Sequence, residues 1–156
     1  MNKFLYDRDS RGAPLELLAA DYFHQKQIPF GFNPASGTED PSREDYDLYT
    51  GQPNNPTLWE LKMDWQSGIT GNIFVEEKTL RNTKAHKIAY GRLLIDVFDR
   101  ERLIEMYNRK AGKIHAFRHV VGGDQQGNMG MLLGWKACKE NSRPFWAEVK
   151  QLTQRQ

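Results

Sequence analysis

Trp59-Glu60-Leu61-Lys62-Met63-Asp64 is the stretch on which the fold turns. Along Leu58–Met63, from Trp59 onward, apolar and polar residues alternate strictly, the period of a half-buried β-strand. On such a strand Glu60 and Lys62 share one face, while Trp59, Leu61 and Met63 share the other. Just upstream, Gly51-Gln52-Pro53-Asn54-Asn55-Pro56 is a turn cluster, so Tyr46-Asp47-Leu48-Tyr49 is expected to pair with Leu58–Met63 as a hairpin. Downstream, a turn over 68–72 leads into Ile73-Phe74-Val75-Glu76, expected as a third strand and the next neighbour in the same sheet.

Further out, Ala13 to Phe23 carries apolar residues at 15, 18, 19, 22 and 23 with Pro14 in the first turn, which predicts an amphipathic helix ending near Gln27. Pro34, Gly37 and Pro41 make 33–43 a loop. The nearly continuous apolar run over 91–98 reads as one buried strand. Asp99 reads as the N-cap of a helix over 100–110 with Leu103, Ile104 and Tyr107 as its buried stripe. Residues 115–121 and 129–135 are expected as strands joined by the turn 122–127, and the tail from Pro144 as a short helix. The sum is an α/β chain with a central mixed β-sheet flanked by helices, one domain over 1–156.

Composition narrows the classes. In 156 residues, 38% are hydrophobic and 27% charged, well above the range in which chains stay disordered. The formal net charge of +2 is too small to mark a nucleic-acid binder by itself, since the signature of such proteins is a patch. Cys138 is the single cysteine, so no intrachain disulfide or thiolate zinc site can form, and a reducing, cytoplasmic setting is expected. No apolar run approaches the roughly 18–20 residues of a membrane helix, and Met1 to Asp9 has no stretch suited to a signal peptide, so no membrane partner is expected. The four histidines lack His-Glu-X-X-His spacing, Gly122-Gly123-Asp124 lacks the Gly-Lys-Ser/Thr of a P-loop, and no Gly-X-Ser-X-Gly elbow occurs.

The hairpin carries the chemistry. If Tyr46-Asp47-Leu48 pairs antiparallel with Leu58–Met63, Asp47 reaches the edge that holds Glu60, and two carboxylates there make a hard, oxygen-rich site suited to Mg²⁺ or Mn²⁺. Such an ion polarises a phosphodiester oxygen and acidifies water, with Lys62 orienting that water or stabilising developing charge. The plainer alternative is that Glu60 and Lys62 are an exposed pair on a half-solvated strand.

Asp47, then Glu60-X-Lys62 after a turn, preceded by a helix bearing Glu16, resembles the PD-(D/E)XK nuclease superfamily. The order helix, three strands, helix, strand fits its αβββαβ restriction-endonuclease-like core. Trp59-Glu60-Leu61-Lys62-Met63-Asp64 followed by Thr70-Gly71-Asn72-Ile73-Phe74-Val75-Glu76 is similar to small phage-type and resolvase-like members. The chain departs from the pattern at Tyr46, where the family name has proline. The resemblance implies that Asp47 and Glu60 hold Mg²⁺ or Mn²⁺, that Lys62 is the catalytic lysine and that Glu16 completes the metal site. Asp45 competes for the aspartate role, and Asp47 is preferred because Asp45 lies nearer the loop.

The resemblance further implies a DNA endonuclease of a bacterial or phage-infected cell. Its activity would be that of a Holliday junction resolvase or of an enzyme of phage DNA recombination or degradation, and small members act as homodimers. Asp64 shares strand parity with Glu60 and Lys62, or caps the turn that follows. Glu76 is preferred over Glu77 as a residue at the site's edge, and Asn72 reads equally as turn chemistry. Arg81, Lys84, His86 and Lys87 form a basic stretch suited to DNA phosphates. The alternative function is a catalytically idle nucleic-acid-binding module that keeps the nuclease fold.

Overall fold

The alternation around Glu60 builds a strand in the interior of a six-stranded sheet. The computed structural model describes residues 13–34, 45–63, 71–91, 94–109, 117–121 and 129–154. In chain order the elements are α1 (Ala13–Gln25), β1 (Phe30–Phe32), β2 (Leu48–Thr50), β3 (Thr57–Met63), β4 (Ile73–Glu76), α2 (Glu77–Asn82), β5 (Lys87–Gly91) and β6 (Ile95–Asp99). There follow α3 (Arg100–Asn108), β7 (Phe117–Val121), β8 (Met129–Leu133), α4 (Trp135–Asn141), β9 (Arg143–Pro144) and α5 (Phe145–Gln154). The central sheet runs β1-β2-β3-β5-β6-β9, with β3 and β5 parallel and every other pair antiparallel. A second, antiparallel sheet runs β4-β8-β7. The protein is therefore an α/β fold with a mixed central sheet.

Each face of the central sheet has its own core. On one face Leu15, Ala19 and Phe23 of α1 and Phe145 and Val149 of α5 pack against Trp59 and Leu61. Trp59 is fully buried, donates from its indole N–H to Thr50 Oγ1 at 3.0 Å, and lies 5.6 Å from the Phe23 ring centre and 6.0 Å from that of Phe145. Such aromatic pairs contribute about 0.5–1.5 kcal/mol each beyond the area they bury. On the opposite face Ile88, Tyr90 and Phe98 meet Ile73 and Val75 of β4, Met131 and Leu133 of β8, and Leu80, Leu103 and Met106 of the helices. Glu60 and Lys62 are register partners of Ile88 and Tyr90 and share this second face.

The hairpin forms as expected, with Leu48 opposite Trp59 and Thr50 opposite Thr57. The third strand does not join it. Ile73-Phe74-Val75-Glu76 pairs with β8 in the smaller sheet, and the place beside β3 belongs to β5. Burial explains the exchange: an interior strand between two covered faces needs apolar groups on both, which Ile88, Ala89 and Tyr90 supply. Ile73 and Val75 are buried while Phe74 and Glu76 are half-buried, so β4 suits a layer with one covered face.

The three-strand meander instead begins at β1, which sequence reading left within the connection after the first helix. Its Gly31 sits where a Cβ would lie 2.4 Å from Tyr49 Oη, so the tyrosine ring of β2 requires the glycine. The 91–98 run is not one strand but the end of β5 and most of β6, which pair antiparallel. In α1, Leu15, Ala19 and Phe23 form the buried stripe, whereas Leu17 and Leu18 are exposed. Asp99 precedes α3 without a side-chain cap bond, because its carboxylate pairs with Lys87. In α3 the fully buried residues are Leu103 and Met106, with Ile104 and Tyr107 packed half-buried beside them. The strands over 117–121 and 129–133 and the C-terminal helix over 145–154 form as read, although Trp135 opens a helix instead of ending a strand.

Candidate active site

Asp47 lies one residue before β2, and its backbone N–H donates to Trp59 O at 2.8 Å. Its side chain turns over the neighbouring strand, where Oδ2 accepts the Leu61 N–H at 2.6 Å. Beside it Glu60 Oε1 pairs with Lys62 Nζ at 3.0 Å, the two side chains being 13% and 39% exposed. The i, i+2 spacing on one strand face produces this pair, and the hairpin register brings Asp47 to it.

The electrostatics are one-sided. Burial and the neighbouring Glu60 carboxylate push the Asp47 carboxyl up to about 8, Leu61 N–H and Lys62 work in the opposite direction, and Glu16 raises it further. For Lys62, burial favours the neutral amine. Against it, Glu60 by charge and hydrogen bond, then Asp47 and Glu76, prevail and hold the ammonium above the ordinary lysine range. Glu16 from α1 and Glu76 from the end of β4 thus act on the same neighbourhood as Asp47 and Glu60, with Lys62 as its ammonium.

The donor chemistry fits Mg²⁺ or Mn²⁺, because hard carboxylate groups, Asp47 with the charges of Glu60 and Glu16 acting on it, face Lys62 as the opposing cation. Among the described residues, however, no group of three or more His, Cys, Asp or Glu side chains is already gathered on one ion position. Lys62 supplies the countercharge to Glu60.

Other sequence candidates separate cleanly. Asp45 pairs with Lys84 through Oδ2 at 2.8 Å, and its carbonyl accepts the Lys84 N–H, so it anchors the segment after α2, while Asp47 is the aspartate on which the Glu60 charge acts. Glu77 is taken by Arg81 and by the Tyr107 hydroxyl at 2.8 Å, whereas the charge of Glu76 acts on Lys62. Half-buried Asn72 follows Gly71, which sits at a φ of +75°, in keeping with turn chemistry. Asp64 lies outside the described residues.

The basic stretch forms α2 and the link to β5. Arg81, Lys84 and His86 are exposed and line, with Arg100 and Arg102, an open groove of about 880 Å³. His86 Nδ1 accepts the Leu58 N–H at 2.9 Å, which leaves Nε2 as the donor of the neutral ring. Lys87 also borders the groove, but its ammonium is held between Asp99 and Glu148.

Sequence reading missed Thr83, a buried residue whose hydroxyl lies 3.3 Å from Glu60 Oε2. No motif marks it, since only the return of the chain after α2 brings it across to β3. No protein-family model, curated protein or solved structure matches this chain.

Proposed function

We propose that this chain is a divalent-metal-dependent deoxyribonuclease of the PD-(D/E)XK type, an endonuclease hydrolysing DNA phosphodiesters. Asp47, Glu60 and Glu16 are the metal-holding carboxylates and Lys62 the catalytic lysine. The observation that carries this reading is the crowding of carboxyl groups about Lys62, which leaves Asp47 with a carboxyl pushed up to about 8. Folded proteins retain such unfavourable clusters mainly where function uses them. Element order lends partial support: with β4 set aside in the smaller sheet, α1, the antiparallel run β1-β2-β3, α2 and β5 give a helix, three strands, helix, strand order like the one the resemblance implies, although the sequence reading puts its third strand at Ile73–Glu76.

Bound Mg²⁺ or Mn²⁺ would polarise a phosphodiester oxygen and acidify a water. Lys62, held in its charged form, orients that water or meets the charge developing on the scissile phosphate. Arg81, Lys84, His86, Arg100 and Arg102 offer contacts to the DNA backbone along a groove of mixed charge, which Asp99, Glu101 and Glu105 also line and which Thr83 joins to the site. A homodimer would present two sites to opposed strands, as cutting of a four-way junction requires.

A second reading is a nucleic-acid-binding module without turnover. It is favoured by the Lys62–Glu60 ion pair, which satisfies Glu60 without an ion, and by the lack of a preassembled ligand group among the described residues. Cleavage of supercoiled plasmid and of a synthetic four-way junction, with Mg²⁺ or Mn²⁺ against EDTA, separates the two. Metal-dependent cutting that Glu60→Ala and Lys62→Ala both abolish is the expected result, and faster cutting of the junction would mark a resolvase. Absence of cutting, or cutting that survives either substitution, would overturn the assignment.

A further inference from the structure

Four polar or charged residues among those described are buried: Asn33, Thr50, Thr83 and Glu148. Three have structural partners. The Asn33 amide donates to Tyr46 O, Thr50 Oγ1 accepts the Trp59 indole N–H, and Glu148 meets Lys87 and Arg143. Thr83 differs, because one of its partners is Glu60. Its Oγ1 accepts the Ala85 N–H at 3.1 Å, and its single proton has two acceptors, Asp45 O at 3.0 Å and Glu60 Oε2 at 3.3 Å. Glu60 is therefore contacted at both oxygens, by Lys62 at Oε1 and by Thr83 at Oε2.

We propose that Thr83 is a positioning residue for Glu60, orienting its carboxylate to receive a divalent cation and so setting the affinity of the site for that cation. The inference rests on the nuclease reading above and adds to it a residue that no motif supplies. The chemistry of the carboxylate makes the role workable. An ionised carboxylate offers about four lone-pair sites, so Oε2 can keep the Thr83 hydrogen bond on one and turn another to a cation, while Asp45 O helps hold the hydroxyl in place.

The mount is rigid enough for the purpose. Thr83 caps α2 with extended backbone, its N–H bonds Thr79 O at 3.0 Å, and the next residue's N–H bonds Asp45 O at 2.8 Å. Partners that orient metal-binding groups commonly carry about 10–100-fold in affinity.

The test is Mn²⁺ binding to the full chain, read as loss of the free-ion electron paramagnetic resonance signal, for wild type, Thr83→Ser and Thr83→Val. Thr83→Val should weaken binding about tenfold or more, and Thr83→Ser should restore it to within about threefold of wild type. In cleavage, Thr83→Val should raise the Mn²⁺ concentration for half-maximal rate and leave kcat at saturating Mn²⁺ near the wild-type value. Wild-type affinity in folded Thr83→Val, or equal losses in the Ser and Val variants, would overturn the role. If Thr83→Val fails to fold, Thr83→Cys replaces it; an intermediate loss supports the role and wild-type affinity overturns it. Wild-type protein that binds no Mn²⁺ overturns the metal site itself and Thr83's role with it, an outcome visible in the wild-type arm alone.

Discussion

Two lysines of the central sheet sit among carboxylates, and their surroundings differ in kind. Lys87 opens β5 between Asp99 and Glu148, and Arg143 bridges the same two acids, so two cations meet two carboxylates. Lys62, two residues along β3 from Glu60, faces Glu60, Asp47 and Glu76, with Glu16 acting on Asp47 behind them. The first cluster is balanced and ties β5, β6, β9 and α5 together. The second keeps carboxylates in excess, and one of them holds a proton well above the ordinary carboxylate range. Charge balance, more than burial, separates the cluster that ties the sheet together from the one with carboxyl groups in excess.

The contrast gives substitutions of opposite sign. Glu148→Ala leaves Lys87 and Arg143 without a buried partner and should cost about 3–5 kcal/mol in urea unfolding, the largest effect on stability. A loss below about 1 kcal/mol would show that the balanced cluster is dispensable. Asp47→Asn should instead stabilise the metal-free protein by about 1–3 kcal/mol at pH 8 while abolishing metal-dependent cleavage. Destabilisation with retained cleavage would erase the distinction.

The pH dependence sharpens the comparison. Folding raises the Asp47 carboxyl from the usual carboxylate value to about 8, so the native state binds the extra proton between these limits. Its contribution to stability is complete below about pH 4 and is lost as pH rises through about 8. Wild-type stability relative to Asp47→Asn should therefore fall with pH, by at most about 1.4 kcal/mol per pH unit. A difference that rises with pH would contradict the assignment. The smallest effect belongs to Lys84→Ala in the exposed groove: stability within about 0.5 kcal/mol and a salt slope of DNA binding shallower by about one.

The hairpin and the Glu60–Lys62 pair on it were legible because alternation from Trp59 to Met63, a turn cluster and i, i+2 spacing are local signals. The preference for Asp47 over Asp45 came with the resemblance and from Asp45's place nearer the loop, and Asp47 Oδ2 accepts the N–H of Leu61, the residue between Glu60 and Lys62. Which strand lies beside β3 was not local. Ile73–Glu76 and Lys87–Gly91 are both strands, and only the demand for burial on two faces assigns the interior place to the second. The three-residue β1 carries too short a pattern to register as a strand, and its partner lies across a long connection. Thr83 and the Lys87–Glu148 pair were invisible for a related reason, since their partners are far away in sequence and common in type.

The central claim is that the crowded carboxylates at Asp47 and Glu60 are completed by a divalent cation. Its most direct test is thermal unfolding at pH 8 across a Mg²⁺ titration of wild type, Asp47→Asn and a distant control, Lys136→Ala. The expected result is a Tm that rises with Mg²⁺ in wild type and in the control and stays flat in Asp47→Asn. A flat wild-type Tm, or an equal rise in Asp47→Asn, would contradict the account.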